Sequence, residues 1–234
     1  MLASTDIWFQ VRAAQAAPDR TVIVAMAAVA AVLVVTRRPW AITRHAVTIA
    51  HEAAHGVVAL AGGRRLVGIR LHADSSGVTL SRGRPEGPGM VAMLAAGYVG
   101  PALIGLAAAA TLAGRHAVAL LWGLLVLLAL LLLQIRNFFG LWSVVVTGVA
   151  VFAVTWWLPS KDQSAFAYLV TWFLLAGALR SVVDLVGRRR GRQGLVSDPD
   201  QLARITPLPA GAWVALFVLA TGAALAGGAA LLLG

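Results

Sequence analysis

The sequence His51-Glu52-Ala53-Ala54-His55 lies inside an apolar segment that runs from Ile42 to Ala61. Two histidines four positions apart lie on the same face of an α-helix, so both imidazoles can bind one Zn²⁺ ion. Glu52, between them, is the residue type that acts as general base toward a water molecule at such a site. Because carboxylates and imidazoles are costly inside a membrane span, their presence here indicates a functional site.

The composition is that of a membrane protein. Of the 234 residues, 60% are hydrophobic and 12% are charged, and the mean hydropathy is +0.85. Soluble domains are roughly half apolar and a quarter charged. The chain contains no cysteine, so a metal site must be built from His, Asp or Glu side chains. We therefore expect a single membrane-embedded domain over residues 1–234.

The apolar runs predict an all-α polytopic membrane protein with about six or seven transmembrane helices. Residues 1–20 are expected to form a short cytosolic lead-in, residues 64–82 a small β-hairpin directly after the metal-binding helix, and residues 187–210 a basic cytosolic loop. The hairpin prediction rests on a loose alternation of apolar residues around the turn sequence Asp74-Ser75-Ser76-Gly77. The predicted spans are residues 21–36, 42–61, 89–113, 117–133, 138–158, 165–186 and 211–233.

The chain is strongly basic, with a formal net charge of +10. The arginines lie between apolar runs, which favours contact with anionic lipid headgroups and a role in setting topology over nucleic-acid binding. If all the predicted spans cross, most of the arginines fall on the side that holds the N-terminus and the loops after the second, fourth and sixth spans. The positive-inside rule therefore predicts a cytoplasmic N-terminus, with the histidine pair in the cytosolic half of the bilayer.

A catalytic zinc site needs a third protein ligand besides two histidines. Asp184 is the predicted third ligand, because it stands among apolar residues near the end of the sixth span; the alternative is an ion pair with Arg180, one helical turn earlier. Asp198 and Asp200 are the next candidates, and the alternative for both is the capping of a short helix. Asn137 is expected to steady a substrate backbone or an oxyanion or, as the simpler interpretation, to cap the fifth span.

The chain resembles the site-2 protease family of intramembrane zinc metallopeptidases. The resemblance lies in His51-Glu52-Ala53-Ala54-His55-Gly56 in an early span, in the hairpin after that span and in a later helix that carries an Asp. It implies that His51 and His55 bind Zn²⁺, that Glu52 activates water and that an Asp of a later helix completes the site. Asn137-Phe138-Phe139-Gly140 lacks the Asp-Gly that often follows in the family. Ser197-Asp198-Pro199 is similar to a Ser-Asp-Ala-like stretch of its divergent bacterial branch, which implies the inner membrane of a bacterial cell.

These observations predict a zinc-dependent intramembrane endopeptidase that cleaves membrane-spanning proteins, such as membrane-tethered regulators. The expected partners are the lipid bilayer and the substrate, and the sequence does not indicate an oligomeric state. One alternative is a non-catalytic relative that binds membrane helices as a chaperone or scaffold. Another is a transporter with a protonatable Glu-His cluster, which no internal repeat supports. As a further hypothesis, the hairpin pairs with an unwound substrate strand by β-addition.

Overall fold

The computed structural model describes residues 4–190 and 197–234. These residues are mostly helical and include one antiparallel two-stranded sheet, so the predicted fold class is confirmed. Parts of the predicted lead-in (residues 1–3) and basic loop (residues 191–196) lie outside the described residues. In chain order the elements are α1 (Ser4–Arg12), α2 (Arg20–Val35), α3 (Arg37–Ala61), β1 (Arg65–Leu71), β2 (Gly77–Arg82), α4 (Pro88–Ala113), α5 (Ala117–Leu132), α6 (Phe138–Trp157), α7 (Ser160–Arg190), α8 (Asp198–Ile205) and α9 (Ala210–Leu233).

Fewer of these helices qualify as spans than the apolar runs predicted. Helices α4, α6, α7 and α9 are long and apolar enough to cross a membrane. Helices α2 and α3 meet at a bend of 99° and qualify only as a pair, while α5 is apolar but has 16 residues. A helix of that length is about 24 Å long, which is less than the hydrocarbon core of about 30 Å. By length and composition, the described residues therefore contain 4 spans, or up to 5 with the bent pair.

The N-terminal segment contacts the end of the molecule that lies opposite the hairpin, which we call the far end. The Gln15 N–H donates to the carbonyl of Arg115 (2.8 Å), and the Gln15 side-chain oxygen accepts from the Val118 N–H (3.2 Å). A cavity at this end is lined both by these N-terminal residues and by residues 158–160, where the connection from α6 enters α7. The far end therefore holds the starts of α2, α5 and α7 together.

The opposite end, the site end, holds the hairpin, residues 134–137 and α8. Helix α3 both begins and ends there. Near its start, the Trp40 indole N–H donates to Asp184 of α7 (2.7 Å), and just after its end Gly62 lies beside Gly89 at the start of α4. Helix α2 reaches the site end from the far end, and the chain changes direction at Thr36, whose backbone is extended. Helix α3 then remains at the site end.

This arrangement corrects the predicted alternation of loops. The prediction placed the N-terminal residues and the α4–α5 connection on opposite sides, whereas the structure joins Gln15 to Arg115 at one end. The reason is that the second predicted span, α3, returns to the end from which it started. Its first turn carries Arg37 and Arg38, and charged guanidinium groups keep a helix start at an interface instead of inside the hydrocarbon region.

The hairpin lies where it was predicted and is fixed on one side. Strand β1 pairs with β2 and also forms a parallel bridge through Ile69, whose N–H donates to the Gln134 carbonyl (2.8 Å) and whose carbonyl accepts from the Arg136 N–H (2.9 Å). Both edges of β1 are thus occupied. Among the described residues, β2 has no second partner strand, so the open edge of the sheet belongs to β2.

Candidate metal centre

Helix α3 brings the three residues of the predicted motif together. The Nε2 atoms of His51 and His55 are 3.1 Å apart, and one ligand atom from each of His51, Glu52 and His55 lies within 4.8 Å of the others. Glu52 and His55 are only 4% and 5% exposed. The spacing in the sequence therefore predicted correctly that these side chains converge.

Helix α4 packs closely enough to fix one of the imidazoles. The Nδ1 atom of His55 lies 2.6 Å from the carbonyl oxygen of Met93. A carbonyl only accepts hydrogen bonds, so Nδ1 carries a proton and Nε2 is the ring nitrogen left to bind a metal ion. A hydrogen bond from the ring nitrogen that does not bind the metal orients metal-binding histidines in this way.

Small residues on α4 make room for the imidazoles. A Cβ atom placed on Gly97 would collide with Nε2 of His55 and lie 2.6 Å from Nε2 of His51. A Cβ atom on Gly100 would collide with the Ala54 side chain one turn further. Glycine at both positions therefore lets the two helices approach closely.

The third acidic contact comes from α8. The Oδ2 atom of Asp198 lies 3.2 Å from Nε2 of His51 and 3.4 Å from Nε2 of His55. Burial raises the pKa of the Asp198 carboxyl, but the two imidazoles together lower it by more than burial raises it. The net effect is a pKa below the ordinary value. Asp198 therefore presents a carboxylate oxygen to the histidine pair.

The Nε2 atoms of His51 and His55 and the Oδ2 atom of Asp198 are spaced as the ligands of a tetrahedral zinc ion would be. Zinc bonds of about 2.0–2.1 Å in tetrahedral geometry separate two ligand atoms by about 3.4 Å, close to the observed separations of 3.1, 3.2 and 3.4 Å. The His55 lone pair and the Asp198 carboxylate are both acceptors, so without a cation or a proton between them they repel. The donor set, two imidazoles and one carboxylate, is one that catalytic zinc sites use.

The hairpin holds Glu52. The Thr79 hydroxyl donates to Oε2 of Glu52 (2.6 Å) and lies 3.0 Å from the Glu52 carbonyl oxygen. A Cβ atom on Gly77 would lie 2.5 Å from both Cγ and Oε1 of Glu52. Strand β2 thus contacts the carboxylate directly, and neither contact was foreseen from the sequence.

The structure places Asp184, the predicted third ligand, away from the histidines. Its Oδ1 accepts from Nε of Arg180 (2.9 Å) and its Oδ2 accepts from the indole of Trp40 (2.7 Å). The ion pair with Arg180 is the alternative that the helical spacing offered. With both oxygens used in this way, Asp184 ties α7 to the first turn of α3, and Asp198 is the aspartate that reaches the imidazoles.

The capping alternative holds for Asp200 but not for Asp198. Asp200 accepts from the N–H and hydroxyl of Ser197 and from Arg189, which completes a capping box at the start of α8. Burial raises the pKa of the Asp200 carboxyl, but these donors together lower it by more than burial raises it, so its pKa is below the ordinary value. The Ser-x-x-Asp spacing was the available signal, because it assigns the cap to Asp200 and leaves the first helical residue, Asp198, free.

Asn137 does not cap α6, and its side chain binds the hairpin instead. Its side chain accepts from the Leu71 N–H (3.1 Å) and donates to the Leu71 carbonyl (2.6 Å), in the way that a neighbouring strand would. It occupies the N-cap position of α6 but makes no capping hydrogen bond. Asn137 therefore anchors the end of β1 to α6.

A cavity of about 450 Å³ opens onto the metal centre. Its walls come from α3, β2, α4, α7 and α8, so it combines the polar site with apolar helix surfaces. Tyr98 of α4 is one of the lining residues, and its ring meets His51 edge to face with 4.8 Å between the ring centroids. Among the described residues, β2 and these helices therefore border the cavity that leads to Glu52 and the histidines.

Comparison with known proteins gives the family. No curated protein and no solved structure matches the chain. A family model described as Peptidase M50B-like matches residues 23–228, a range that includes the histidine pair, the hairpin and Asp198. Because this match covers most of the chain, the protein belongs to the Peptidase M50B-like family, a site-2 protease family of membrane metallopeptidases.

Proposed function

We propose that this protein is a zinc-dependent intramembrane endopeptidase that hydrolyses peptide bonds of membrane-spanning proteins. The observation that carries the proposal is the convergence of three ligand atoms, on His51, His55 and Asp198, at separations of 3.1–3.4 Å next to a buried carboxylate. Family membership supports the protease class. The position of the site among apolar helices supports a membrane-spanning substrate.

The chemistry divides between the ion and the chain. His51, His55 and Asp198 would hold Zn²⁺, and the ion would supply Lewis acidity toward a peptide carbonyl and a water molecule. Glu52 takes a proton from the attacking water and passes it to the departing amine. The Met93 carbonyl keeps His55 in the tautomer whose Nε2 is free to bind metal.

The substrate segment is proposed to pair with β2. A helical peptide bond is shielded by its own hydrogen bonds, so a substrate helix must unwind before it is cut. The hypothesis of β-addition is supported by two observations: β1 has partners on both edges, and β2 carries Gly77 and Thr79 against Glu52. A segment added to the open edge of β2 would therefore run past the general base.

The site end is proposed to face the cytoplasm of a bacterial cell. The hairpin, the start of α3 and the end of α7 all carry clustered arginines at this end, and basic residues are retained on the cytoplasmic side of membranes. The N-terminal segment lies at the opposite end, so it is expected outside the cytoplasm.

The test uses purified protein and a single-span reporter of about 20 apolar residues that contains Gly-Pro in its cytosolic half. Wild type should contain about one zinc per chain and cut the reporter. Glu52→Gln should keep the zinc and lower the cleavage rate at least about 100-fold, which is the lower limit of the rate enhancement that general bases typically provide. Cleavage at the wild-type rate by Glu52→Gln, or a wild-type protein without zinc, would overturn the proposal.

A further inference from the structure

We infer that Thr79 is the positioning residue for the general base. The inference rests on the proposed function, since it assigns a role to the hydroxyl that contacts Glu52. Thr79 lies on β2, 27 positions from Glu52 in the chain, and its Oγ1 is 2.6 Å from Oε2 of the carboxylate. The contact is a short hydrogen bond from an O–H donor to a carboxylate oxygen.

The geometry selects one acceptor for the Thr79 hydroxyl. Thr79 has a single O–H proton, and both acceptors within reach belong to Glu52: Oε2 at 2.6 Å and the backbone carbonyl at 3.0 Å. The shorter distance favours donation to the carboxylate. Oε2 is then occupied, and Oε1 is the oxygen available to a water molecule.

The backbone of β2 restricts Glu52 from a second direction. Gly77 and Thr79 are two residues apart on the strand, so they point to the same face. A Cβ atom on Gly77 would stand 2.5 Å from Oε1, which shows that the carboxylate lies directly against the strand backbone. Together, Gly77 and Thr79 limit both rotation and displacement of the Glu52 side chain.

The strand that carries Thr79 is itself fixed to the helices. Asn137 and the segment around Ile135 hold β1, and the Thr48 hydroxyl of α3 donates to the Ser75 carbonyl at the hairpin turn (3.1 Å). The Thr79 hydroxyl is therefore presented from a rigid element. A group held this way can set the direction in which a general base accepts a proton.

The first test observes Glu52 without any substrate. The chain contains two glutamates, Glu52 and Glu86, so ¹³C-glutamate labelling yields two carboxylate bands in an isotope-edited infrared spectrum, and Glu86→Gln assigns them. Thr79→Val should shift the Glu52 band and leave the Glu86 band in place, while Thr79→Ser should restore the wild-type spectrum. A Glu52 band that does not move in Thr79→Val would overturn the inference.

The second test measures cleavage of the Gly-Pro reporter. Thr79→Val should lower kcat by about 10- to 100-fold with zinc content unchanged and KM within about threefold, and Thr79→Ser should recover most of the rate. Thr48→Val is the matched control, because it removes a hydroxyl that ties the hairpin to α3 but does not touch Glu52.

The outcomes separate this inference from the proposed function. Equal losses in Thr48→Val and Thr79→Val, or no rescue by serine, would show that only the general stability of the hairpin matters and would overturn the role of Thr79. If Glu52→Gln cleaves as fast as wild type, the proposed function fails instead, while the infrared result still decides whether Thr79 holds Glu52.

Discussion

At the residue scale, the aspartates near the site have different roles because their hydrogen-bond partners differ. Asp184 gives one oxygen to Arg180 and the other to Trp40, so its charge is used within the helix packing. Asp198 is the first residue of α8, and Asp200 closes the cap in its place. The carboxylate of Asp198 is therefore directed to the imidazoles, although all three aspartates lie within 17 positions of each other in the sequence.

Substitution of each aspartate by asparagine should distinguish these roles. Asp198→Asn is expected to weaken zinc binding by more than about 100-fold, since loss of outer-shell partners alone costs 10- to 100-fold. Asp184→Asn should retain about one zinc per chain and lose about 1–2 kcal/mol of stability through its weakened hydrogen bonds. Metal analysis and melting in detergent measure both effects. Zinc loss in Asp184→Asn with retention in Asp198→Asn would contradict the assignment.

At the element scale, the close approach of α3 and α4 makes the site possible. Gly97 faces the two imidazole Nε2 atoms and Gly100 faces Ala54, so the helix backbones meet where larger side chains would separate them. The hairpin closes the other side of Glu52. The metal centre therefore depends on interhelical distance as much as on the identity of its ligands.

Gly97→Ala tests this dependence with the smallest possible addition. Alanine stabilises a helix by about 1 kcal/mol relative to glycine, so without a steric conflict the variant should be more stable than wild type. Instead we expect the added methyl group to displace both imidazoles and abolish stoichiometric zinc. The control is Gly148→Ala in α6, where a Cβ atom meets nothing within 4 Å. Equal zinc content in the two variants would refute the proposed role of the α3–α4 approach.

The sequence predicts the parts of this site that depend on local spacing. His51 and His55 share a helical face, and the Asp74–Gly77 turn predicts the hairpin, because both patterns are set by neighbouring residues. The choice of Asp198 over Asp184 and the contact between Thr79 and Glu52 depend on helix packing, which local spacing does not encode. The bend at Thr36 was missed for a related reason: hydropathy identifies an apolar helix but not the direction in which it runs.

At the scale of the whole molecule, charge is distributed unequally between the two ends. Among the described residues, the far end carries only four basic positions, and the remaining basic positions lie at the site end. The far-end residues are Arg12, Arg20, Arg115 and Lys161. Because α3 returns to the site end, its arginines join those of the hairpin and α7 instead of opposing them. The corrected path of the chain therefore makes the charge asymmetry larger than the predicted alternation did.

This asymmetry predicts that the N-terminal segment lies on the opposite face of the membrane from the hairpin. The chain has no cysteine, so the single substitutions Ala14→Cys, Ser160→Cys and Glu86→Cys, all at exposed positions, each report one location. A membrane-impermeant maleimide is added to cells whose outer envelope is permeable but whose inner membrane is intact. It should label Ala14→Cys and Ser160→Cys, whereas Glu86→Cys should react only after the inner membrane is permeabilised. If Ala14→Cys instead reacts only after the inner membrane is permeabilised, as Glu86→Cys does, both positions lie in the cytoplasm, and the predicted cytoplasmic N-terminus would stand in place of the opposite-face arrangement.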